Sequence, residues 1–113
     1  MSYWIYLEDH DGNTLPVEHH SEGGTYVLGG VPEAELNVTY NYSERYSEHG
    51  FSLRDLEGKT GAETADQLLN LVAKMGTDLD NDYWKPTSGN AGHALSILAK
   101  WAREHPAGIW RVS

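Results

Sequence analysis

In ELNVTYNY (35–42), Leu36, Val38, Tyr40 and Tyr42 alternate with Glu35, Asn37, Thr39 and Asn41. A period of two predicts a strand with one apolar and one polar face. Upstream, YWIYLE (3–8) is aromatic and β-branched, and the DHDGNT after it carries an Asp-Gly turn step. LPVEHH (15–20) is placed to pair back, with Pro16 consigning it to a sheet edge. EGGTYVLGG (22–30) is a short strand between two glycine pairs that supply turns or bulges. NYSERYSEHG predicts a direct passage from strand to helix near Asn41, ending at Gly50.

The second half changes period. From Thr60, apolar residues fall at 65, 68, 69, 72 and 75, which is the spacing of an amphipathic helix. Thr60 followed three residues later by Glu63 is a capping box, and Gly76 is placed to end the helix in a left-handed conformation. TDLDNDYWKPTSG (77–89) is a polar loop holding an aromatic pair. A second helix is expected over 90–105, capped by Ser88 or Asn90, stopped by Pro106, and buried along Ala91, Ala94, Leu95, Leu98 and Ala102. GIWRV (108–112) closes as a strand. The expected fold is a single α+β domain over 1–113, with a small antiparallel sheet of about four to five strands packed against two to three helices.

At 113 residues the chain can form one core without staples. It has no cysteine, which excludes disulfides and thiolate chemistry and suits a cytoplasmic setting. The first residues lack the basic region and apolar run of a signal peptide, and no stretch reaches the ~18 apolar residues of a membrane span. The net charge of −9 disfavours direct binding to a phosphate backbone. It serves solubility, or it meets a basic partner such as a nucleic-acid-binding protein. Four Trp and seven Tyr against one Phe make an amphipathic aromatic set, each ring needing a partner for its polar end.

Gly58-Lys59-Thr60 looks like the tail of a phosphate-binding loop. The motif also needs a glycine five residues before Gly58, where Leu53 stands, and a buried strand leading in, where GFSLRDLE is polar. A nucleotide loop is rejected on both counts. A smaller anion site at the helix start remains open, with Lys59 and Thr60 beside free N–H groups, against the reading that Thr60 and Glu63 only cap each other. Asp78, Asp80 and Asp82 match the first positions of a calcium loop, but Tyr83 and Gly89 stand where it needs glycine and glutamate. Glu18, His19 and His20, with His10 nearby, have the residue types of a zinc site but diverge on a strand. No metal, cofactor or catalytic residue is assigned. Asn37, Thr39 and Asn41, spaced ~7 Å apart on a strand, could read a ligand's hydrogen-bonding edge or form an ordinary wet face. Asp82, Tyr83 and Trp84 are candidate partner contacts, since loop Tyr and Trp are favoured interface anchors.

Taken together, GGTYVLGG, LNVTYNY, LEGKTGAET and DYWKPTSGNAGHAL resemble a family of small uncharacterised proteins encoded by bacteria, phages and other mobile elements. The resemblance runs from about residue 22 to the closing Ile-Trp. It implies one domain and a mobile-element origin, and it carries no activity or catalytic residue with it.

Three functional readings follow. The first is a non-catalytic binding protein that inhibits or sequesters a component of a host system, such as a defence system, through its acidic surface and the Tyr83-Trp84 loop. The second is a binder of a small anionic or nucleotide-like ligand at Asn37, Thr39, Asn41, Lys59, Thr60 and Asn90, gathered in one polar pocket if the helix starts meet the strand face. The third is a small hydrolase using His93 or Glu63, for which no nucleophile–base pair is visible. Self-association into a homo-oligomer is left open.

Overall fold

The computed structural model describes residues 1–17, 25–26, 33–82 and 84–113. Strand β1 (Ser2–Glu8) lies at the centre of an antiparallel sheet, between β3 (Glu35–Thr39) and β4 (Ile109–Val112). A two-residue strand, β2 (Thr25–Tyr26), pairs with β3, giving the order β2-β3-β1-β4. The sheet therefore rests on three strands of four to seven residues, and the expected set of four to five is not what the described residues establish. The segments 18–24 and 27–32, where part of that expectation fell, lie outside them, as do Glu18, His19 and His20.

The register explains which side chains meet. Ile5 sits opposite Leu36 on one side and Val112 on the other, and Leu7 opposite Trp110. Ile5, Leu7, Leu36, Val38 and Trp110 are all buried, so one row of alternating positions supplies the apolar face. After β1, the Asp9 carboxylate accepts the N–H groups of Asp11 and Asn13, and Gly12 takes a positive φ of 83° to complete the turn. The carboxyl of Asp9 is held below its ordinary range, chiefly by the Asn13 N–H.

β3 is shorter than the alternating pattern predicts. Its last residue, Thr39, accepts the N–H of Asn41 at 3.2 Å, and Tyr40–Tyr42 wind into a 3-10 turn. The chain passes directly into α1 (Ser43–Ser47), as expected for this junction, and Gly50 closes the turn after it with a φ of 68°. Tyr42, Tyr46 and Phe51 pack edge to face, and the buried Tyr46 hydroxyl donates to the Ala91 carbonyl at 2.9 Å. Burial pushes the Tyr46 phenol well above its ordinary range, with Tyr42 adding to the shift.

Two longer helices cover the apolar sheet face. α2 (Gly61–Met75) carries the predicted capping box, the Thr60 hydroxyl accepting from Glu63 N–H at 3.2 Å and the Glu63 carboxylate from Thr60 N–H at 3.0 Å. Gly76 ends it with φ 81° and ψ 179°. The positive φ is as expected, but the extended ψ lies outside the left-handed helical region. α3 (Ser88–Glu104) is capped by Thr87 rather than by Ser88 or Asn90, its hydroxyl accepting from Asn90 N–H at 3.0 Å. It ends just before Pro106, as expected. The predicted stripe of α3 is buried, and so are Gly92, Ile97, Ala99 and Trp101, because the helix is wedged between α2 and the rest of the core. No helix among the described residues is long and apolar enough to cross a membrane.

Candidate functional site

α2 and α3 run antiparallel. A Cβ on Gly61 would come within 2.7 Å of the Ala102 carbonyl, whereas one on Gly92 would run into the Gly76 carbonyl. The start of α2 therefore lies beside the end of α3, and the start of α3 beside the end of α2. This decides how the candidate residues are distributed. Lys59 and Thr60 belong to one end of the helix pair, and Asp82, Trp84 and Asn90 to the other. The single polar pocket that would unite the two helix starts does not form. Glu63 and His93 are separated in the same way, so they do not pair as acid and base.

At the first end, the N–H donors of α2 are all engaged. Gly61 N–H donates to the Gly108 carbonyl at 2.9 Å, Ala62 N–H to the Pro106 carbonyl at 2.8 Å, and Glu63 N–H to Thr60. An anion would need those same groups. Gly58-Lys59-Thr60 acts instead as a joint against β4. Gly58 N–H donates to the Trp110 carbonyl and Trp110 N–H to the Lys59 carbonyl, both at 2.9 Å, while the buried Trp110 indole donates to Thr64 Oγ1 at 2.8 Å. The Glu63 carboxyl lies below its ordinary range because it accepts from the Thr60 backbone.

The strand residues are also committed to structure. Asn37 and Thr39 are buried; Asn37 Nδ2 donates to Ser2 Oγ at 2.6 Å, and Thr39 caps the 3-10 turn. Asn41 lies beyond the strand, so Asn37, Thr39 and Asn41 do not form the expected row. The alternation from Leu36 to Tyr42 disguised this, because a strand and a following 3-10 turn can share the same polar residues.

The second end is different. Asn90 is fully buried, and its side-chain amide makes three hydrogen bonds to the 77–87 loop. Oδ1 accepts Asp80 N–H at 2.9 Å, and Nδ2 donates to the carbonyls of Asp82 and Lys85 at 3.2 and 3.0 Å. The Asp80 carboxylate accepts Asp82 N–H, and the Asp82 carboxylate accepts Trp84 N–H. From the sheet side, Asn41 Nδ2 donates to the Trp84 carbonyl at 2.9 Å. Four candidate residues, Asn41, Asp82, Trp84 and Asn90, thus meet at one loop, and the two asparagines, which the sequence offers as ligand contacts, hold its backbone. Tyr83 lies outside the described residues.

This bonded loop exposes apolar surface. Trp84 is 49% exposed and Leu79 44%, two of the four large apolar side chains that stand exposed among the described residues. Asp78 and Asp82 stand exposed around them, with Lys85 at 4.0 Å from Asp80. Leu79 was not singled out from the sequence; a lone leucine among aspartates carries no periodic signal. The Asp80 and Asp82 carboxylates are engaged in turn formation, and no metal-holding group of His, Asp or Glu occurs among the described residues.

No protein-family model matches the chain, and no curated protein or solved structure matches it.

Proposed function

We propose that the chain is a non-catalytic binding protein of the mobile-element type, which inhibits or sequesters a host protein through the 78–84 loop. One observation carries this reading: Trp84 and Leu79 are held in solvent by a loop whose backbone is already tied down. A contact loop ordered before binding loses little entropy on association, and a partly exposed Trp ringed by polar groups is the usual anchor of a protein interface. The aspartates and the net charge of −9 suit a partner with a basic surface. The small-anion reading has weaker support, because the α2 donors, Asn37, Thr39 and Asn90 already have partners.

The test is quantitative capture from lysate of the host cell, followed by a binding titration with the purified captured protein. Trp84→Ala is expected to weaken binding at least ~30-fold, as for an interface hot spot. Lys59→Ala is expected to leave it unchanged. Binding that ignores Trp84 and Leu79 would refute the assignment of this loop.

A further inference from the structure

The outer face of the α2–α3 pair carries a groove of about 310 Å³, lined by Leu69 and Val72 from α2 and by Ser96, Ala99, Lys100 and Arg103 from α3. Leu69 is 38% exposed there. Helical spacing puts exposed Ala62 and Ala73 on the same flank of α2, with Asp66 one step further round. One bank of the groove is therefore apolar with an acidic margin, and the other is cationic, on a chain whose net charge is −9.

The antiparallel register sets what lies at each height. Gly61 is level with Ala102, and Met75 with Gly92. By interpolation, Asp66 is level with the Leu98–Ala99 step, just below Lys100, and Leu69 with Ser96. A two-fold axis running parallel to the helices, in front of the groove, would place α2 of one copy over α3 of the other at unchanged height. Leu69 would then cover the trough of the partner, and Asp66 would face the partner's cationic bank, with the same contacts made in reverse. An acidic helix from another protein would suit the positive bank but would set its charge against Asp66. We propose that this groove is a self-association face, occupied by α2 of a second copy of this chain.

Sedimentation equilibrium on the full chain from about 5 to 500 µM tests it. A reversible dimer is expected. Leu69→Glu should raise its dissociation constant at least ~30-fold, and Lys100→Glu about 5-fold. The exchanged pair Asp66→Lys/Lys100→Glu should return it to within about 2-fold of the parent, by restoring one attraction in place of one repulsion. All these side chains are exposed, so far-UV circular dichroism and melting should match the parent. A monomer at every concentration, a dimer indifferent to Leu69→Glu, or a monomer that binds phosphatidylglycerol vesicles through Leu69 would each overturn the proposal.

Discussion

Asn90 is an amide at the third position of a helix with no exposed surface, and all three of its described side-chain bonds reach into a loop. Asn90→Ala would leave Asp80 N–H and two carbonyls without that partner, so a loss of about 2 kcal/mol in urea-unfolding free energy is expected. Amide hydrogen exchange across 78–87 should rise in the same variant while the centre of α3 stays protected. The two buried tryptophans offer a sharper comparison. The Trp110 indole N–H is bonded to Thr64, whereas the Trp101 indole N–H has no partner among the described residues. Both lose similar volume on substitution by phenylalanine. Trp110→Phe should therefore destabilise by ~1 kcal/mol more than Trp101→Phe, in paired chemical melts.

At the scale of elements, the capping box of α2 and the close α2–α3 approach are separable. Thr60→Ala removes the cap and should lower unfolding free energy by ~1 kcal/mol. The Glu63 half of the box is visible through pH. Its folded carboxyl titrates below the unfolded one, so its stabilisation is present above the ordinary glutamate pKa and disappears as pH falls through the folded value. Tyr46 has the opposite sign: its folded phenol titrates above the unfolded one, so stability falls once pH rises past about 10. Melting against pH should show both slopes, and Tyr46→Phe should flatten the alkaline one. Gly92→Ala tests the helix contact, because its new Cβ would meet the Gly76 carbonyl, which belongs to backbone and cannot rotate away. A loss of ~2 kcal/mol is expected from that overpacking, far more than the same change at an exposed helix site.

For the whole molecule, charge and anchor should act on different rate constants. With the purified partner, Asp78→Asn should slow association and flatten its dependence on salt, while Trp84→Ala should speed dissociation. Periodicity and capping chemistry made the helices legible: they come from neighbours three and four residues apart, and Thr60-Glu63 acts within one turn. The starts of β1, β3 and β4, the turn at Gly12 and the passage into α1 were legible for the same reason. Local information failed where one side chain could serve two partners. Asn41 fits an alternating strand until the turn at Tyr40, capped by Thr39, removes it, and Lys59-Thr60 fits an anion site until Pro106 and Gly108 fill its donors. The sequence by itself determined the α+β class, the acidic charge and the two helix faces, because each depends on composition or short spacing. Only the tertiary structure decided that the helix starts lie at opposite ends, that Asn90 holds the loop, and that Leu79 stands out beside Trp84. Those rest on contacts across 5 to 52 residues, organised by the antiparallel packing of α2 on α3.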